Sequence, residues 1–491
     1  MTATGETGAS HAGGHPSGVE LNGLNTIAEC ERGGQPRSLF WPWFAANVSV
    51  LGVSYGAFLL GFGISLRQAA LVAVAGIVVS YLFCGLIALA GKRGAAPTLT
   101  LSRAAFGVTG NRLPSLISWL LTVGWETVLV SLAVLATATV CQTLGIGGGT
   151  LTKAVSLIAV VALVVGGGIY GFHTIMRLQT VITVLTAALT LVYIALALQQ
   201  LDFSALGARS DGSPQAMIGA FVFTLTGFGL GWVQAAADYS RYLPRHASSV
   251  GVVAWTTVGA ALAPVILVLF GLLLAGASAS LGSAIGSDPI GALTGVLPHG
   301  FLLPFALVAV LGLIGGAILD IYSSGLALLS CGVNIPRPLA AAIDGALMTV
   351  GAIWIVFFAH SFIDPFQAFL ITLGTPIAAW CGIFLADLTL RRRDYDEHAL
   401  FDPAGRYGRH NVTAIALLAA ATALGWGLVT NPMPHVGWMN WLGYLLEPLA
   451  LGGRDGAWAS ANLGVLVALA VAYLGFLALA HTRVRRQESL P

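Results

Sequence analysis

The sequence predicts an all-α polytopic membrane protein of twelve transmembrane helices, the first ten forming two five-helix repeats of inverted topology. Three observations carry that expectation. Hydrophobic residues make up 57% of the 491 positions and charged residues only 9%. The apolar runs have room for about a dozen spans of ~20 residues each. The first and sixth runs share a polar, glycine-bearing interruption, which points to a repeat after five spans. Five is odd, so the second repeat must start from the opposite side of the membrane.

In chain order, the first 38 residues are polar and lack the apolar core of a signal peptide, so 1–38 is expected to be a cytoplasmic tail. Spans are expected at 41–65, 68–91, 114–141, 152–172, 176–198, 215–236, 249–276, 301–330, 340–359, 365–389, 411–431 and 459–482. The first repeat then occupies 39–200 and the second 201–390. A basic cytoplasmic loop follows at 391–410, then two further helices in 411–482 and a tail at 483–491. With the N-terminus inside, eighteen of the 22 basic residues fall on the inner side, leaving Arg67, Lys153, Arg209 and Arg454 outside. By the positive-inside rule both termini are cytoplasmic, as in a multi-pass protein of a bacterial-type inner (plasma) membrane. Arg391–Arg393 read as determinants of that topology. The stretch 94–114 reads as a long inner loop with a short helix near Leu101–Phe106. The stretches 288–298 and 433–450 read as outer segments, the second an interfacial helix whose Trp438, Trp441 and Tyr444 sit at headgroup level.

The chain is organised around 227–244, where Gly227, Gly229 and Gly231 follow Thr224 and Thr226. Each glycine weakens a helix by about 1 kcal/mol relative to alanine. Such a run suggests a span that unwinds part-way, tolerated at membrane depth only where the backbone is buried in protein or lines a cavity. It also fits small residues that let two helices approach closely. The first span has a comparable interruption in Asn47, Ser49, Gly52, Ser54 and Gly56. Together the two breaks suggest a substrate site between the repeats.

Ionisable residues inside a span are costly unless they face a partner or a cavity. Glu126 in the third span and Asp320 in the eighth are the deepest, and they occupy the third helix of each repeat. Each reads as a ligand-facing or proton-carrying carboxyl, or as a structural one tied to a neighbouring helix. Asp344, near the inner end of its span, reads as structural. Trp125, Trp232 and Phe228 are candidate stacking surfaces for a flat ring, against a background of tryptophans that only pack. Asp238 and Arg241, where the sixth span leaves the membrane, read as paired with each other or with inner-loop partners in an inner gate, or as a plain stop-transfer cluster.

No Gly-x-x-x-x-Gly-Lys-Ser/Thr loop occurs, and no His/Asp/Glu cluster suggests a metal centre. ATP-driven transport by that route and membrane-embedded enzymes are thus disfavoured. The five cysteines are scattered without a CxxC, so disulfide and zinc frameworks are unsupported.

Several motifs carry a family resemblance. They are Val19-Glu-Leu-Asn-Gly-Leu-Asn with Glu31-Arg32, Phe44-Ala-Ala-Asn-Val-Ser-Val-Leu-Gly, and Leu101-Ser-Arg-Ala-Ala-Phe-Gly with Gly110-Asn-Arg-Leu-Pro-Ser. Val123-Gly-Trp-Glu-Thr, Gly231-Trp through Asp238-Tyr-Ser-Arg-Tyr-Leu-Pro, Tyr322-Ser-Ser-Gly-Leu and Leu400-Phe-Asp-Pro-Ala-Gly-Arg-Tyr-Gly complete the set. From about Val19 to the twelfth span, the chain resembles the purine–cytosine permease branch of the nucleobase:cation symporter-1 family. The resemblance implies the leucine-transporter fold, alternating access, and a nucleobase-like ligand bound between spans one, three, six and eight. It makes Trp125 the stacking aromatic of span three, with Phe228 or Trp232 supplying the opposite face. Asp320 stands where the family usually has Asn. Thr122, Asn47 and Gly231 join these as expected substrate contacts. Ala46 and Ser49, with Glu126 and Asp320, are the expected ion-coupling groups.

Sodium-coupled relatives place hydroxyls on span eight where this chain has Gly315-Gly-Ala-Ile318. A hard cation prefers oxygen ligands, so proton coupling is favoured, with sodium the alternative. The expected function is import of cytosine or a purine by cation symport, without cofactor, metal or nucleic acid. A same-fold importer of hydantoin, allantoin or a vitamin ring is the nearest rival, with a channel or a membrane-embedded enzyme further off. Saturable flux and counterflow would exclude the channel, and an unconverted ligand the enzyme. The base and the oligomeric state are not legible.

Overall fold

The computed structural model describes residues 23–170, 172–199, 201, 206, 209–359, 362–433 and 437–490. Val19–Asn22 of the first motif lie outside the described residues, as does the rest of the tail before them. Among the described residues, ten helices are long and apolar enough to cross a membrane, and one bent pair brings the number to eleven. The shorter apolar helix Val412–Trp426 is consistent with a twelfth.

The first expected span is two helices. After a 3₁₀ turn, α1 (Phe40–Asn47) meets α2 (Leu51–Leu60) at a bend of 68°. A capping box starts α3 (Leu66–Gly94): the Ser65 side chain accepts from the Gln68 N–H, and Gln68 reaches back to the Ser65 N–H. Lys92 and Arg93 sit in its last turn, favourable for the helix dipole. The expected loop helix is a pair of single turns, α4 (Thr98–Leu101) and α5 (Arg103–Phe106). There follow α6 (Arg112–Thr143), α7 (Thr150–Tyr170), α8 (Phe172–Leu198) and α9 (Pro214–Gly227). Ser213 caps α9 and Pro214 occupies its first turn, where a missing N–H costs nothing. Three 3₁₀ turns (Gly229–Gly231, Val233–Ala235, Ser240–Tyr242) carry the chain to α10 (Ser249–Ala277).

An unforeseen helix, α11 (Ala279–Ser287), follows, its N–H groups capped by Ser278. Then come α12 (Leu302–Ser330), α13 (Arg337–Phe357), α14 (Ile363–Leu390), α15 (Val412–Trp426) and α16 (Gly464–Ser489). The expected span 411–431 thus contracts to fifteen residues. The expected interfacial helix at 433–450 is corrected. Its described part is one 3₁₀ turn, Gly437–Met439, followed by turns, with Gly443 at φ +77° where an α-helix cannot continue. Trp441 and Tyr444 remain exposed there.

Packing joins α6 to α12, α3 to α10 and α14 to α16. The reading of Arg391 as a topology determinant alone is also corrected. Its guanidinium pairs with Asp387 (Nε–Oδ2 3.0 Å, Nη2–Oδ1 2.7 Å) and donates to Gln487 Oε1 at 2.9 Å, tying α14 to α16. Large apolar side chains such as Leu151, Ile158, Leu191, Leu303 and Val350 point outward. Aqueous surfaces rarely carry contiguous apolar area on that scale, and a bilayer accommodates it.

Candidate functional site between the two broken helices

The expected break in the sixth span is present. Helix α9 ends at Gly227, and Phe228 adopts φ −120°, ψ −117°. The freed backbone groups find partners on neighbouring helices. Tyr55 Oη donates to Gly227 O at 3.2 Å, the Gly229 N–H donates to Ser80 Oγ at 3.0 Å, and Cys84 Sγ donates to Gly229 O at 3.1 Å. Gln234 Nε2 donates to Gly231 O at 2.6 Å. Satisfied in this way, irregular backbone is tolerable at membrane depth. Gly229 lies directly on α3, where a Cβ would fall onto the Ser80 carbonyl and within 2.5 Å of Tyr81 N.

In the first span, Asn47 is engaged structurally: its Nδ2 donates to Trp43 O at 2.8 Å, and its Oδ1 accepts from Tyr81 Oη. Ser49 Oγ accepts from the Leu51 N–H at 3.4 Å. The carbonyls of the break face α12, since a Cβ on Gly312 would lie 3.0 Å from Val48 O and one on Gly316 4.0 Å from Ala46 O. Sequence reasoning missed Thr186 on α8. Its methyl lies 3.4 Å from the same hypothetical Gly312 Cβ, and its Oγ1 is buried without a hydrogen-bond partner. A threonine in an apolar helix gives no sequence signal of that kind.

Trp125 and Trp232 flank Gly231. A Cβ on Gly231 would stand 2.9 Å from Trp125 Nε1, an atom buried without a hydrogen-bond partner. The Trp125 ring is edge-on to Phe366 (5.5 Å) and Phe369 (5.8 Å). Trp232 is half-buried and edge-on to Trp43 at 6.0 Å. Phe228 is buried and packs on Tyr55 at 4.5 Å between ring centres.

Glu126 is fully buried, and neither carboxylate oxygen has a hydrogen-bond partner within 3.5 Å. Its electrostatic neighbours are Ser324, Asp344 and Asp320. Asp344, unlike Glu126, is held at both oxygens, by Trp119 Nε1 at 2.6 Å and Ser324 Oγ at 2.8 Å. Asp320 is buried, and no hydrogen bond to its carboxylate forms among the described residues. Thr122, one turn before Glu126, donates within its own helix to Ser118 O (3.1 Å) and Trp119 O (3.0 Å). Trp125 is thus brought onto the break at Gly231 beside Trp232, and Asp320 lies one turn beyond Gly316, which faces the first break, with Glu126 as its electrostatic neighbour on α6. Asn47 and Phe228 are largely occupied by protein partners.

The basic end of the bundle is closed. Asp238 Oδ1 accepts from the Thr98 N–H (2.8 Å) and Oγ1 (2.7 Å), and the Ala237 N–H donates to Thr98 Oγ1 at 2.9 Å. Arg241, fully buried, donates to Tyr322 Oη at 3.1 Å and to Gly23 O at 3.2 Å. Arg32 donates to Leu243 O (3.0 Å) and Lys92 O (2.5 Å). Glu29 bridges Arg32 (2.8 Å) and Arg245 (2.7 Å), while Arg245 also reaches Asp394 at 3.5 Å and Glu397.

Hydrogen bonding from Arg245, with the charge of Arg32, holds the Glu29 carboxyl below its ordinary value of 4.5. A carboxyl depressed in the folded state stabilises it above the ordinary value, and the effect fades as pH falls through the lowered one. Acidification below 4.5 is accordingly expected to raise thiol-reagent labelling of a Leu243→Cys variant relative to an exposed-cysteine control at the same pH, the control correcting for the scarcer thiolate. Glu29→Gln is expected to raise it modestly at neutral pH. Labelling unaffected by either change would remove Glu29 from the closure.

At the opposite end, a cavity of about 550 Å³ is lined by Phe58, Phe62, Phe223, Gln367 and Ile371 among others. Phe223 and Phe366 are 6.4 Å apart, and Phe366 touches Trp125. An aromatic layer thus separates this cavity from the Trp125–Gly231 region.

A family model described as permeases for cytosine/purines, uracil, thiamine and allantoin matches residues 26–446. The chain is 24% identical over 486 residues to the putative purine-cytosine permease YxlA of Bacillus subtilis, covering 96% of this chain and 97% of that protein. It is 26% identical over 213 residues to the purine-cytosine permease FCY2 of Saccharomyces cerevisiae, covering 41% and 38% of the two chains. Among solved structures it is similar to Mhp1, a nucleobase-cation-symport-1 family transporter, in a closed conformation with bromovinylhydantoin bound. The TM-score is 0.67 at 18% identity, covering 97% of this chain and 99% of that one. A Na⁺-coupled sialic acid symporter in a substrate-bound outward-open state is similar at a TM-score of 0.58 and 13% identity, covering 92% and 91%. These likenesses establish the leucine-transporter-type fold.

Proposed function

The chain belongs to the family of permeases for cytosine/purines, uracil, thiamine and allantoin, and from that membership we propose that it imports a nucleobase, cytosine or a purine, by proton symport. It is a multi-pass membrane transporter, not an enzyme. In this reading the basic loops and both termini face the cytoplasm of a bacterial-type inner membrane. The observation that carries the proposal is the Trp125–Gly231–Trp232 arrangement at the break of the sixth span, together with two buried carboxyls, Glu126 and Asp320, that neighbour each other on α6 and α12. A planar ring stacked on tryptophan gains on the order of 1–3 kcal/mol. Asp320 would accept from the ring's N–H edge, and Glu126 would assist or carry the proton. The closed basic end and the aromatic layer at the opposite end would have to open in turn as access alternates.

Two observations favour second readings. The bromovinylhydantoin bound to Mhp1 makes a five-membered ring the rival substrate. The buried, unpartnered hydroxyl of Thr186, whose methyl packs at Gly312 near the Val48 carbonyl, is a candidate oxygen ligand for a cation where Gly315–Ile318 carry no hydroxyl, which favours sodium.

Uptake of labelled cytosine, adenine, hypoxanthine, allantoin and a hydantoin into proteoliposomes, under separate proton and sodium gradients, tests these readings. Saturable, proton-driven uptake of one base, unchanged in Thr186→Val, is expected. Sodium-driven uptake at zero proton gradient, lost in Thr186→Val, would replace proton coupling with sodium coupling. Uptake of the hydantoin alone would overturn the substrate.

A further inference from the structure

Two family motifs have no part in the substrate region, and they pair with each other. Segment 106–111 and segment 408–411 are joined by backbone hydrogen bonds: Val108 N–H to Gly408 O (2.9 Å), Thr109 N–H to Arg409 O (2.9 Å), Gly110 N–H to Arg409 O (3.0 Å) and Asn411 N–H to Phe106 O (2.7 Å). Arg103 adds a bond to Leu400 O at 3.2 Å, and Gln487 Nε2 one to Ala104 O at 3.3 Å. Gly408, at φ +71°, makes a turn that L-residues rarely adopt, and its missing side chain leaves space facing Arg483 Nη2. This stitched loop and the last turns of α16 enclose a cavity of about 920 Å³.

The charges lining it do not cancel. Asp396 is occupied by Arg406 at 3.0 Å and by the Ala399 N–H at 3.0 Å, and Asp402 Oδ1 accepts from the Ala404 N–H at 2.9 Å. Asp387, deeper in the bundle, is paired with Arg391. Arg483 spends one nitrogen on Tyr407 O at 2.9 Å, while its Nε is buried without a partner. The Arg486 side chain makes no hydrogen bond among the described residues and lines the same cavity. Leu479 (64% exposed) and Leu490 (42%) form an apolar rim, the former continuing the outward face of α16 that carries Leu474.

Two underused guanidinium groups in a preformed cavity, at a helix end with a lipid-facing apolar rim, match a phosphate attached to an acyl chain. Basic pockets and clusters at membrane faces bind anionic headgroups through the same chemistry. We propose that this cavity binds a phosphate-bearing anion, supplied by the headgroup of an anionic phospholipid, through Arg483 and Arg486.

The full-length protein would be reconstituted in phosphatidylcholine alone, in phosphatidylcholine with phosphatidylglycerol, and in phosphatidylcholine with inorganic phosphate. Retained lipid would be read by native mass spectrometry and stability by thermal unfolding. The wild type is expected to retain phosphatidylglycerol and to unfold at higher temperature with it. Arg483→Gln/Arg486→Gln is expected to bind it on the order of 30-fold more weakly, and the double lysine variant to recover most of the loss. Protection by inorganic phosphate without retained lipid would assign the site to the free anion. Equal phosphatidylglycerol retention by the wild type and the folded lysine and glutamine variants would overturn the proposal.

Discussion

Asp320→Ala is expected to lower the apparent affinity for the transported base by roughly 5- to 100-fold, since the ring's N–H would be left buried without its acceptor, at about 1–3 kcal/mol. The carboxylate is buried on α12 and takes no hydrogen bond among the described residues. A ligand N–H would therefore meet an acceptor that is already desolvated and uncommitted. Asp320→Asn separates two roles: it keeps an acceptor oxygen at the same place and removes the titratable group. If Asp320 only reads the ring, the Asn variant retains most of the affinity and the same dependence on the proton gradient. If Asp320 carries the proton, the Asn variant still exchanges base across the membrane but no longer accumulates it. Uptake and counterflow, measured side by side, distinguish the two. Unchanged affinity in Asp320→Ala would remove the residue from the site.

Much of this was legible in the sequence because bilayers impose a strict grammar. Long apolar runs announced the spans, and glycines with hydroxyls announced both breaks, since each is costly in a membrane helix unless it has a purpose. Glu126 and Asp320 stood out for the same reason. What stayed hidden depends on tertiary partners. Nothing local distinguishes Thr186 from other helical threonines, because its significance lies in the Val48 carbonyl and Gly312 on other helices. Asn47 resembled a ligand-binding amide, yet Trp43 O and Tyr81 Oη occupy it. Asp238 was expected to pair with Arg241 or with the inner loop; which residue of that loop is shown only by the fold, where Thr98, 140 residues earlier on the short α4 turn, is its closest partner. The aromatic-rich stretch at 433–450 resembled a helix until Gly443 at positive φ showed why it turns.

Gly229→Ala is expected to displace the unwound segment of the sixth span and to destabilise the protein. The added Cβ would collide with backbone, the Ser80 carbonyl and Tyr81 N, and no rotamer change on α3 relieves it. Overpacking of that kind costs about 1–3 kcal/mol. Moving the break away from α3 would also forfeit the bonds from Gly229 N–H to Ser80 Oγ and from Cys84 Sγ to Gly229 O, at about 1 kcal/mol each. Gly166→Ala on α7 is the matched control, since a Cβ there meets nothing within 4 Å. It is expected to leave the unfolding temperature unchanged or slightly raised, by helix propensity. Thermal unfolding and base binding, measured on both variants, carry the argument. A stable Gly229→Ala protein that still binds would mean that the unwound segment can leave α3 without disturbing the ring site. A protein that folds but no longer binds would tie the ring site to the position of the break. Trp125 meets the backbone two residues further on, at Gly231, so a shift of the break should reach the stacking surface directly.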